Sequence, residues 1–337
     1  MRTLAALLLA AVLTLAAPAA EPWLKKDDVV ALVGGEDMVA LAEEGWLETF
    51  VTWVQPQDRI RWRSLAWEGD TVFEQRRDLN YPTLETQLDK MGATVVLCQF
   101  GKMESFAGKE GVAAFTEAYE KLLARLSGEK KRRIGLMMPT PFGHPPSDSV
   151  PIEKRGYYYW PRNVSEVDYE IPLRHMLAKK NYDIRFVVDE NLTFIETVEP
   201  GFTRDGVHLK PAAQLPHALG LVVFLGLAPQ IYAGLRVADT PVPPWRPAPG
   251  QRELPPAADI PKLLGPLNAA IAAKNRLWFH YTRPQNWAFL AGNRTNQPSS
   301  RDHLDPTKRW FPEEMEQWVP LIEAKEKEIW KLAAAPR

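Results

Sequence analysis

The stretch Phe202-Thr203-Arg204-Asp205-Gly206-Val207-His208 places a carboxylate and an imidazole three residues apart in a turn that a glycine keeps tight. At that spacing Asp205 can receive the Nδ1 proton of His208 and turn Nε2 outward as a general base. The alternative is a surface turn, in which Asp205 caps a helix beginning near Lys210 and His208 is solvated. Such a pair needs a nucleophile or a second acid/base group from another loop. The carboxylates in loops of the right kind are Glu36 and Glu104, and the hydroxyls are Ser64, Thr71 and Ser105; no serine precedes Ser64.

The elements that would carry these loops follow from hydrophobic period. Residues 28–33 form a continuous apolar run stopped by Gly34-Gly35, which reads as a strand buried on both faces and hence part of a parallel sheet. From 36 to 54 the apolar residues recur at helical spacing, so a helix starts near Glu36 and sets its carboxylate at the positive end of the helix dipole. Residues 59–65 alternate and carry three arginines, which predicts an exposed edge strand. Further strands are expected near 94–100, 133–138 and 184–188, with helices over 83–91, 109–126, 166–180 and 211–225. This alternation predicts a three-layer α/β/α domain with a five-stranded parallel sheet in flavodoxin-like order, all candidate loops lying on one edge. The long loop over 145–161 contains Tyr157-Tyr158-Tyr159-Trp160, which would line a pocket or pack onto the domain.

At 337 residues, 45% apolar and 25% charged, the chain is long enough for one large core and an appendage. Residues 1–20 have the basic start, Ala/Leu/Val run and small-residue close of a secretory signal, which predicts export to the periplasm or beyond. The domain then spans 21–227, followed by a proline-rich linker over 228–261 and a helical extension over 262–337, expected to dock on the domain or on a second copy of the chain. Beyond the signal no apolar stretch has the length of a spanning helix. Cys98 is the one cysteine, lies in an apolar run and reads as a buried thiol. A formal net charge of -1 gives no basic footprint for nucleic acid, so small or neutral ligands are favoured.

Four loops, Gly34-Gly35-Glu36-Asp37, Trp67-Glu68-Gly69-Asp70-Thr71, Gly101-Lys102-Met103-Glu104-Ser105 and Asp205-Gly206-Val207-His208, fall in the order of the four blocks of the SGNH, or GDSL-type, hydrolases. Over about residues 27–226 the chain resembles that family, and the wording of its loops is similar to an exported bacterial subgroup. The resemblance implies an ester hydrolase in which Gly69 lends an oxyanion-hole amide, His208 is the base and Asp205 orients it. It also implies two substitutions: Glu36 stands in place of the nucleophilic serine and Met103 in place of the oxyanion asparagine. A carboxylate is not activated as a hydroxyl is, and a thioether donates no hydrogen bond. Gly35, Trp67, Gly101, Glu104 and Ser105 would line the substrate site, with Ser105 also open as a turn or helix cap. No cofactor is implied. A metal held by Glu36, Glu104, Asp205 and His208 has no supporting spacing. The expected ligand is an acylated carbohydrate or envelope component; the alternative is an inactive binding or assembly module that uses the same pocket and the C-terminal helices.

Overall fold

The computed structural model describes residues 23–75, 77, 80–143, 168–176, 179, 182–188, 202–227, 251–285 and 287–335. The expected signal segment, the Tyr157 to Trp160 run and residues 228–250 of the proline-rich stretch lie outside them.

Strand β1 (Val29–Gly34) is buried along its whole length, as its unbroken apolar run requires. It is joined by β2 (Arg61–Ser64), β3 (Val95–Gln99), β4 (Arg133–Met137) and β5 (Ile184–Val188). All neighbours pair in parallel, and the order is β2-β1-β3-β4-β5. This is the flavodoxin-like sheet expected from the sequence. In this order the winding reverses between β1 and β3, and the crevice beyond their carboxyl ends is where such sheets bind ligands.

Alternation along the strands divides the core into two layers. Val30, Leu32, Val95 and Leu97 face α1 (Glu36–Glu44), α2 (Trp46–Val54) and α5 (Pro211–Phe224). Ala31, Val33, Val96, Cys98 and Leu136 face α3 (Leu84–Lys90), α4 (Val112–Ser127) and the helical segment over 168–176. The single helix expected over 36–54 is two: Gly45, at φ 67°, ends α1 and starts α2 in a left-handed conformation that its missing side chain makes accessible. The C-terminal helices include α6 (Ile260–Thr282), α7 (Trp310–Glu316) and α8 (Trp318–Ala334), the last two divided at Gln317.

The exposed edge expected of β2 is a correction. Arg61 faces solvent, but Trp62 and Arg63 are buried because α6 and α8 cover the strand. Arg63 Nη1 meets Glu326 Oε1 at 2.5 Å, and Lys274 Nζ, fully buried, meets Glu48 Oε2 at 2.9 Å and the Trp62 carbonyl at 3.2 Å. Ile260, Leu264, Leu267 and Ile271 of α6, with Ile329 of α8, complete the apolar layer over α1 and α2. The C-terminal helices are therefore bound into the sheet domain of their own chain. Among the described residues no helix is long and apolar enough to cross a membrane.

Candidate active site

The first loop of the site is set by Gly34, where the chain leaves β1 and enters α1 within two residues. Its φ is 156°, and a Cβ there would lie 2.6 Å from both the Gln99 carbonyl and Met38 Cγ. Helix α1 opens at Glu36 with Gly35 as a cap that supplies no side-chain bond to the first-turn N–H groups. Glu36 is thereby placed at the switch point between β1 and β3.

The last loop brings its base to the same place. His208 Nε2 lies 2.9 Å from Glu36 Oε2, and Nδ1 lies 2.5 Å from Asp205 Oδ2. Asp205 Oδ1 accepts the backbone N–H groups of Val207 at 3.0 Å and His208 at 2.8 Å, the bonds of an Asx turn rather than of a cap on α5. Partial burial raises the Asp205 carboxyl, but the N–H groups of His208 and Val207 and then the imidazole outweigh it and hold it below the usual carboxylate range. The turn is closed by Arg204 N–H on the His208 carbonyl and tied to the loop after β4 by Gly143 N–H on the Gly206 carbonyl, both at 2.9 Å. Both imidazole nitrogens thus face carboxylate oxygens, and the ring satisfies both carboxylates, when ionised, only by donating from each nitrogen.

Met103, 41% exposed, lines the cleft beside Glu36 where the resemblance implies an asparagine. Gly69, at φ 80°, is exposed on the neighbouring loop, and Asp70 beside it belongs to the cleft wall. The cleft holds about 30 Å³, room for one or two waters between Glu36 and the loop after β3.

Gly101 and Glu104 line the cleft with Gly35 and Glu36, and they and Ser105 are also bonded within the protein. The buried Glu104 carboxylate takes Val72 N–H at 2.6 Å on one oxygen and Gly101 N–H at 2.8 Å on the other, which staples the loop after β2 to the loop after β3. Burial raises its pKa despite those bonds. Ser105 is buried and its hydroxyl donates to the Lys102 carbonyl at 2.7 Å, the turn role weighed above. Trp67 is likewise occupied. Its ring is flanked by Arg77 at 4.2 Å and Arg283 at 4.7 Å and stacks on Trp287 at 5.9 Å, while Arg77 grips both oxygens of Asp70 at 2.8 and 2.7 Å. Ser64 does not reach the Glu36 cleft; it lines a separate cavity of about 390 Å³ between α1, β2 and α6, with Asn275, Trp278 and Phe279. Among the described residues no cluster of three or more His, Cys, Asp or Glu side chains is placed to hold a metal ion.

A group that sequence reasoning missed lies directly behind the pair. Lys102 Nζ donates to Thr140 Oγ1 at 2.7 Å and to the Val207 carbonyl at 2.6 Å, and it sits 3.3 Å from both oxygens of Asp37. Thr140 in turn donates to Asp37 Oδ2 at 2.6 Å. The only sequence signal was a lysine inside a glycine-started loop, with its partners far away in the chain.

No protein-family model and no curated protein matches this chain. Among solved structures it is similar to a gut microbial diltiazem-metabolizing enzyme, at 11% identity and a TM-score of 0.57 over 92% of this chain and 96% of that one. An acetyl xylan esterase aligns at 14% identity and a TM-score of 0.42, over 58% of this chain and 98% of its own. A GDSL-like lipase from Bacteroides thetaiotaomicron aligns at 14% and 0.33, over 59% and 87%. What the first of these shares with the present chain, over nearly the whole length of both, is its fold.

Proposed function

We propose that the protein is an exported hydrolase of the SGNH superfamily that removes acyl groups from carbohydrate of the cell envelope, and that it does so through an acid/base pair acting on water rather than through a serine acyl-enzyme. The observation that carries this reading is the 2.9 Å contact between Glu36 Oε2 and His208 Nε2 at the switch point of the sheet. Glu36 takes a proton from water, whose oxygen attacks the acyl carbon. As the ester C–O bond breaks, the Nε2 proton of His208 passes to the leaving sugar oxygen, and Asp205 steadies the ring throughout. The N–H groups at the start of α1, whose cap Gly35 makes no side-chain bond, would serve the carbonyl oxygen, and the resemblance adds the amide of Gly69. Export rests on the character of residues 1–20 and the substrate class on the implied family.

The test is hydrolysis of aryl acetates and acetylated xylo-oligosaccharides. His208→Ala and Glu36→Gln should each lower kcat by about 10²- to 10⁴-fold, the usual contribution of a positioned acid or base. Wild-type turnover equal to that of both variants would overturn the proposal. A second reading is favoured by Met103, which offers no hydrogen bond where an oxyanion donor is expected. In that reading the same site binds an acylated sugar without turning it over, and calorimetric binding without hydrolysis would select it.

A further inference from the structure

We infer that Lys102 is the positioning residue of this site, a buried tripod that fixes the separation between Glu36 and His208. The ammonium has three N–H donors and uses all of them: one toward the Asp37 carboxylate, one on Thr140 Oγ1 and one on the Val207 carbonyl. Each acceptor belongs to a different part of the site. Asp37 follows Glu36 in the first turn of α1, Val207 precedes His208, and Thr140 lies just past the end of β4. Lys102 itself stands between Gly101, which the Glu104 carboxylate ties to the loop after β2, and Met103, which lines the cleft. One cation therefore joins the loops after β1, β3 and β4 to the loop that carries the imidazole.

The chemistry fits a positioning role and not a reacting one. Lys102 and Asp37 are both buried, with side chains 9% and 8% exposed, so the charge is paired in place. Thr140, fully buried, accepts from Lys102 and donates to Asp37, which closes a small ring of hydrogen bonds with each donor matched. Satisfied networks of this kind hold their members rigidly. Rigidity is what a pair on two different loops needs, because a misplacement of about 1 Å costs on the order of 10²-fold in rate. A polar tripod also supplies direction, since the donors fix where the Val207 carbonyl points and with it the plane of the next residue.

This inference rests on Glu36 and His208 being the reacting pair, and its test is chosen so that the two can fail separately. The readout is the pair of ring-nitrogen resonances of His208, measured by ¹⁵N NMR at one fixed pH, which does not require turnover. In Lys102→Met both resonances should move from their wild-type positions, and Thr140→Val, which keeps the side-chain volume and removes one partner, should move them in the same direction by less. Leu126→Ala, a buried change in α4 far from the site, provides a control destabilised by packing alone and should leave them unmoved. Where the protein hydrolyses acetate esters, Lys102→Met should lower kcat by on the order of 10²-fold with little change in KM. Should Lys102→Met fail to fold, Thr140→Val alone decides. Unshifted His208 resonances in the folded variants, or equal shifts in Leu126→Ala, would overturn the role of Lys102 and leave the acid/base reading standing.

Discussion

Glu36 Oε2 and His208 Nε2, 2.9 Å apart and separated by 172 positions in the chain, meet because a two-glycine turn ends β1 and an Asx turn ends the segment before α5. If Glu36 holds the seat of a missing hydroxyl, that seat can be refilled. Glu36→Ser with Met103→Asn should create a serine that reacts with organophosphonates. It should also raise turnover of short aryl esters above that of Glu36→Ser alone by on the order of 10²-fold, the usual worth of one oxyanion donor. Steady-state kinetics on both variants checks this, and equal rates would count against the role given to position 103.

The Asp205 turn should be acid-sensitive. Its carboxyl is held below the usual value by N–H groups of the native turn, so its contribution to stability is present above the unfolded value near 3.9 and is lost as the pH falls through the lower native one. Amide exchange at Val207 and His208 should speed up in that acidic window before the protection of β1 and β3 changes. Asp205→Asn should abolish the pH step.

Helix α6 is secured to α2 by charges that cannot lose one member. Burial pushes Glu48 up and Lys274 down, and each is partly restored by the other. Lys274→Met strands the Glu48 charge in the interior and should cost about 3–5 kcal/mol in denaturant unfolding. Adding Glu48→Gln should recover a large part of it, whereas a double variant no more stable than Lys274→Met would show that the pair is not coupled.

Cys98 should be inert. Burial pushes its thiol up to about 12, only partly offset by the Tyr119 hydroxyl 3.6 Å away. Native protein should resist iodoacetamide at pH 8, and one adduct per chain should form on unfolding, as counted by mass spectrometry.

How much of this could be read from the sequence depended on how local the physics was. The five strands were legible because runs such as Val29 to Val33 and Val95 to Cys98 are apolar on both faces and end at glycines, and the Asp205 and His208 contact is three residues long. The break at Gly45 was hidden, since apolar residues keep helical spacing across it and only the backbone turn reveals it. Arg63 read as a solvent-facing residue because its partner, Glu326, lies 263 positions away. Trp67 and Lys102 were obscured for the same reason: what covers the one and satisfies the other comes from Arg283 and Trp287, or from Asp37, Thr140 and Val207. Composition and period carry no record of such pairings.

The central claim is that no serine serves as nucleophile here, because a carboxylate sits against the imidazole of His208. It is tested most directly by treating the unmutated protein with a fluorophosphonate and mapping adducts by mass spectrometry. The account predicts no stoichiometric adduct on any serine, with Glu36→Ser becoming labelled at position 36. A stoichiometric adduct on Ser105 or Ser64 of the unmutated protein would contradict it.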